Sequence, residues 1–246
     1  MSLLEVAGLE AGYGLLSAVR NLNLNLASGE VLALVGANGA GKTTLLRTIA
    51  GAHPARAGTI RFQSQDVTNM PAHQRVKRGV ALVPEGRRLF QEMTVSDNLR
   101  VASLVGRPGP WTIDAVANAF PFMKARWRAR ASELSGGQQQ AVAISRALLA
   151  NPLLLMLDEV SLGLSPAAVH LLYDSIAALI EAKTTILLVE QDLKRALRFS
   201  NRVVCLLEGR IVLEGAASAV SHADIVSAYF GLGKSRGGSA RGEAQA

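Results

Sequence analysis

The sequence runs to 246 residues, 49% hydrophobic but only 4% aromatic, with 26 Lys and Arg against 19 Asp and Glu for a net charge of +7. That length suits one large domain or a domain carrying an inserted subdomain, and the composition suits an aliphatic α/β core. No apolar run approaches the ~18–20 residues that cross a bilayer, and one cysteine cannot build a disulfide framework.

The opening residues, MSLLEVAGLEAGYG, show no basic segment followed by a long apolar one, so no secretory signal is expected. Three strands are expected in the first 35 or so residues: VRNLNLNLA alternates like a half-buried strand and VLALVG is continuously apolar. TTLLRTIAG then reads as a helix stopped by Gly51, and GTIRFQ and ALVP as short strands. From about residue 86 to 150 strand signals vanish and Ala/Leu/Arg-rich helical patterns take over, broken by GRPGP. Beyond 150 the order alternates: strand LLLML, a helix from Pro166 to about Ala182, strand TILLV, a helix, then strands VVCLL and RIVLE. This is the pattern of a parallel α/β core with a helical subdomain at about 86–150. Residues 231–246, GLGKSRGGSARGEAQA, read as a disordered basic tail. The remaining basic residues are scattered, and Lys124, Arg126, Arg128 and Arg130 form no helical stripe or stacking platform, so no nucleic-acid partner is expected. The four histidines show no ligand spacing, so no protein-built transition-metal site is indicated, and Cys205 in VVCLL reads as a small buried residue.

Residues 36–43, GANGAGKT, match G-x-x-x-x-G-K-[ST] between an apolar strand and a helix. Backbone N–H groups of Gly36, Ala37, Asn38, Gly39, Ala40, Gly41, Lys42, Thr43 and Thr44 can converge on phosphate oxygens at a helix N-terminus. Lys42 reaches the terminal phosphates and the Thr43 hydroxyl suits Mg²⁺, which indicates a nucleoside triphosphate site. The strand LLLML delivers Asp158 to the metal shell and Glu159 as general base for the attacking water. Ser135, Gly136, Gly137 and Gln138 open an Ala-rich helix and make a second anion-binding surface. The strand TILLV ends abruptly in Glu190, Gln191 and Asp192, read either as chain leaving the core or as polar groups delivered to the sheet's carboxyl edge.

With these motifs the sequence resembles the ATP-binding subunits of ABC transporters over essentially residues 3–230. The resemblance implies a P-loop NTPase core of the ABC type, with a parallel sheet, an N-terminal antiparallel β portion and the inserted helical subdomain. It also implies ATP and Mg²⁺ as cofactors, with Tyr13 on adenine and the 134–138 signature of one subunit closing over ATP on a second subunit, head to tail. SLGLS at 161–165 resembles the loop through which paired subunits sense each other. Glu85 stands where relatives usually have a glutamine that touches Mg²⁺ and the γ-phosphate, and can still ligate a hard cation. Gln191 stands where most have a switch histidine; it can donate to a phosphate oxygen but takes up no proton near neutral pH. Together, PEGRRLF, DEVSLGLSP and LVEQ resemble the ATPases of importers for branched-chain and other hydrophobic amino acids, with urea-type importers as the near alternative. Permease subunits, an extracytoplasmic solute-binding protein and a place at the cytoplasmic face of the inner membrane follow from that resemblance. The rival reading is a soluble ABC-type ATPase acting on nucleic acid or ribosomes.

Overall fold

A computed structural model describes residues 2–229, so the expected basic tail at 231–246 lies outside the described residues. Its framework is two sheets. Strands β1 (Ser2–Tyr13), β2 (Leu16–Ala27), β4 (Ala57–Phe62) and β5 (Gln65–Asp66) form an antiparallel sheet in the order β2-β1-β4-β5. Strands β3 (Val31–Gly36), β6 (Val80–Val83), β7 (Leu154–Asp158), β8 (Thr185–Val189), β9 (Arg202–Leu207) and β10 (Arg210–Ala216) form the second, ordered β10-β9-β3-β8-β7-β6. Within it β9, β3, β8, β7 and β6 run parallel and β10 turns back antiparallel on the edge.

The two sheets look different because their strands face different surroundings. In β2 buried and exposed residues alternate through Leu22, Leu24 and Leu26, as a sheet with one solvated face requires. Every residue of β3, β7 and β8 is buried, because layers cover both faces. On one face Leu32, Leu34, Met156 and Leu187 pack with the antiparallel sheet and with helix α1 (Lys42–Ile49). On the other, Leu155, Leu157, Ile186 and Leu188 pack against helices α6 (Gly136–Leu148) and α7 (Pro166–Glu181) and the helical subdomain.

The subdomain holds helices α3 (Val95–Ser103), α4 (Ile113–Ala119) and α5 (Phe122–Ala125) before α6. GRPGP falls between α3 and α4, as its helix-breaking residues require. Helices α2 (Ala72–Arg78), α8 (Leu193–Phe199) and α9 (His222–Tyr229) complete the layers. Parallel register sets up the functional edge. Leu34 pairs with Val189, and Asp158 pairs with Val189 on the other side, so β3, β7 and β8 end side by side. The GANGAGKT loop, Asp158–Glu159 and Glu190–Gln191 therefore emerge at one carboxyl edge, where open α/β sheets hold ligands.

Candidate active site

The loop after β3 is shaped by close backbone approaches. A Cβ on Gly41, whose φ is 104°, would lie 2.1 Å from the Ala18 carbonyl oxygen of β2, so no side chain fits there. Gly41 stands at the N-cap of α1 and no side chain caps that helix, which leaves its first amides for an anion. The Lys42 ammonium, 4% exposed, donates to the carbonyls of Gly36 (2.7 Å) and Ala37 (3.1 Å) and lies 3.4 Å from Glu159 Oε1.

Glu159 itself sits in left-handed backbone, φ 48°, a costly conformation for a residue with a Cβ and one that clusters at functional sites. Its amide donates to the Val189 carbonyl at 3.3 Å, tying the end of β7 to the end of β8. From β8, Gln191 Nε2 donates to Glu159 Oε2 at 2.5 Å and to Asn38 Oδ1 at 3.3 Å. The amide thus bridges the glycine-rich loop and the acid. Of the two readings of the strand end, delivery to the sheet edge is the one that matches this geometry.

Asp158 is buried and accepts from Thr43 Oγ1 at 3.2 Å through Oδ1, while Oδ2 has no partner. Burial pushes its carboxyl up to about 6; the Thr43 hydrogen bond works against this, and the charges of Glu159 and Glu85 add to it. A buried carboxylate oxygen without a donor, beside a threonine hydroxyl and facing two further acids, fits a hard divalent cation with oxygen ligands. No cluster of three or more His, Cys, Asp or Glu that could hold a metal alone occurs among the described residues, so phosphates and water would complete the shell.

One cleft of about 500 Å³ joins these groups, lined by Tyr13, Asn38, Lys42, Thr43, Glu85, Glu159 and Gln191 among others. Tyr13, 47% exposed at the end of β1, leans on His53 with ring centroids 4.5 Å apart, and forms an aromatic wall. Sequence reasoning missed His53, which hydrogen-bonds Gly12 O through Nε2 at 3.0 Å, and missed Leu16, Ala18 and Leu162 on the lining. The signal that could have revealed Leu16 is Gly14, at φ 52° in the two-residue turn that returns Leu16 beside Tyr13.

Ser135, Gly136, Gly137 and Gln138 are not brought to this cleft. Ser135 caps α6, its hydroxyl accepting from the Gln138 amide (3.4 Å) while Gln138 Oε1 accepts from the Ser135 amide (3.0 Å). Ser135, Gly137 and Gln138 line a separate cavity of about 410 Å³ with Phe120, Ala168 and Leu171. Arg87, two residues after Glu85, reaches across to α6 and donates to Gln139 Oε1 at 3.1 Å. Gly86, Arg87 and Arg88 are all in left-handed backbone, which carries the chain from the cleft to the start of α6.

Residues 19–161 match the ABC transporter family. The chain belongs to that family. It is an ABC ATPase, and its sheets reproduce the α/β P-loop core with an antiparallel β portion expected for that family. The high-affinity branched-chain amino acid transport ATP-binding protein BraG of Pseudomonas aeruginosa is 37% identical over 222 residues, covering 89% of this chain and 95% of that protein. The probable branched-chain amino acid transport ATP-binding protein LivF of Archaeoglobus fulgidus is 35% identical over 219 residues, covering 88% and 93%. Among solved structures, the ADP conformation of an ATP-binding cassette of an ABC transporter superposes with a TM-score of 0.80 at 25% identity, over 94% of this chain and 99% of that one. Among the described residues of this ABC ATPase, no helix is long and apolar enough to cross a membrane.

Proposed function

We propose that this ABC ATPase binds and hydrolyses ATP at the cytoplasmic face of the inner membrane to drive uptake of branched-chain or other hydrophobic amino acids. The observation that carries the catalytic part is the Lys42–Glu159–Gln191 contact set inside the cleft. The similarity to BraG and LivF supports the choice of solute.

The α1 amides and Lys42 bind the phosphates, and Tyr13 packs on the adenine. Thr43, Asp158 and Glu85 would hold Mg²⁺, which when bound neutralises charge on the phosphates. Glu159 takes the proton of the attacking water. Gln191, an amide, orients Glu159 and donates toward the γ-phosphate. Because Ser135–Gln138 lie outside the cleft of their own chain, a second ATPase subunit docked head to tail would supply them. Permease subunits in the membrane, fed by an extracytoplasmic solute-binding protein, complete the machine.

Glu159→Gln is expected to lower turnover by at least about 100-fold while ATP still binds, since general-base catalysis contributes on that order. Near-normal turnover would remove Glu159 as the base. Uptake of leucine against urea by the ATPase reconstituted with its copurifying membrane subunits tests the solute. Copurification with nucleic acid that survives physiological salt would favour the soluble rival.

A further inference from the structure

Asp158 and Glu190 are the fully buried acids among the described residues. Asp158 accepts from Thr43, which lines the cleft. Glu190, 1% exposed, does not line it and has been given no role. Its carboxylate is nonetheless fully used. Oε1 accepts from Ser161 Oγ at 2.8 Å and from the Tyr173 hydroxyl of α7. Oε2 accepts from the backbone amides of Gln191 (3.2 Å) and Asp192 (3.3 Å).

These four donors come from three places: the loop that follows Glu159, helix α7 and the turn that carries Gln191. Glu159 and Gln191 are thus both anchored within two residues of the same carboxylate, and their side chains meet at 2.5 Å. We propose that Glu190 is a positioning residue for hydrolysis: it fixes the separation of Glu159 and Gln191 and makes that separation depend on the loop at 161–165. This rests on the roles given to Glu159 and Gln191 above. A force that moves the exposed part of that loop, where Leu162 is 51% exposed, pulls Ser161 off Glu190 and frees the turn at Gln191.

The clamp works through geometry, not charge, which gives it a signature. In Glu190→Gln the amide oxygen can take the two backbone N–H groups, and the NH₂ can donate to both hydroxyls, each of which can also accept. Glu190→Val offers neither. In the purified full chain, Glu190→Val should lower kcat at least about tenfold through misplaced catalytic groups. The Kd for ATP should stay within about twofold, because Lys42 and the phosphate loop make no contact with Glu190. Glu190→Gln should recover most of that kcat. The pair Ser161→Ala with Tyr173→Phe removes two of the four donors, lowers kcat in the same direction, and decides the matter if the valine variant fails to fold. Wild-type kcat in that pair would overturn the proposal, as would a parallel fall in kcat, ATP affinity and thermal stability that glutamine does not rescue. Turnover surviving in Glu159→Gln would instead sink the reading of the active site itself.

Discussion

Asp158 carries a testable electrostatic load. An acid whose carboxyl is raised from 3.8 to about 6 binds its proton more tightly folded than unfolded. Its contribution to stability is therefore full below about pH 4 and is lost as pH rises through 6, a difference of about 3 kcal/mol. In nucleotide-free and magnesium-free protein, Asp158→Asn should raise the melting temperature at pH 8 and raise it much less at pH 5. Equal shifts at both pH values would mean that the carboxylate is neutralised by something other than a proton. At Gln191 the amide touches both Glu159 and Asn38, so Gln191→Ala should lower kcat several-fold, whereas Gln191→His keeps a donor and stays active. Wild-type turnover in the alanine variant would make Gln191 a surface residue. Asp158 was legible in the sequence because it ends a wholly apolar strand, and Gln191 only through the family resemblance, which puts a switch residue at its position. Glu190 was not legible as a buried group: the same polar run reads equally as chain entering solvent, and only the donors from Ser161 and Tyr173, distant in sequence, explain its burial.

At the scale of elements, the long strands and helices follow their periodicity, and the short pieces escape it. Helix α2 was missed although Pro71 precedes it and Gly79 ends it, because its seven residues, AHQRVKR, show no apolar face. Its one buried side chain is Arg75, 2% exposed, which donates to the carbonyls of Thr48 (2.8 Å), Ile49 (2.7 Å), Thr68 (2.8 Å) and Met70 (2.8 Å). Arg75 thereby closes the C-terminal end of α1, the helix whose other end opens the phosphate site. Burial lowers its pKa to about 10, so the charge persists at neutral pH. Arg75→Met leaves those carbonyls without donors and should cost about 3 kcal/mol or more in a urea titration. Arg75→Lys should recover only part, since an ammonium lacks the planar fork. Loss of under about 0.5 kcal/mol in the methionine variant would show that water replaces the guanidinium. Helix α9 was missed too, although its start carries a readable signal: the Ser221 amide and hydroxyl bond Asp224 Oδ2, the reciprocal cap of an S-x-x-D pattern.

For the whole molecule, the separation of the cleft from the start of α6 matters most. The sequence offers two candidate anion-binding surfaces and, by resemblance, their sharing between two subunits, but not where one chain holds each of them. Ser135→Arg, at an exposed position, should leave ATP affinity of the isolated chain within about twofold, since no group lining the cleft changes. It should abolish turnover and, combined with Glu159→Gln, the ATP-dependent dimer that light scattering is expected to detect in Glu159→Gln alone. Turnover persisting in Ser135→Arg would mean that a single chain suffices.

The order of the central sheet also fixes when the enzyme can form. Strand β3 has neighbours only from far downstream, Leu34 meeting Val189 and Gly36 meeting Leu206. On a ribosome adding about 5–20 residues per second, VLALVG waits roughly 10–30 s for its second partner. The β1–β2 hairpin can close at once, but six residues destined for full burial stay exposed through most of synthesis. The strand that carries the glycine-rich loop is thus, during its own birth, a stretch that a chaperone would have to shield.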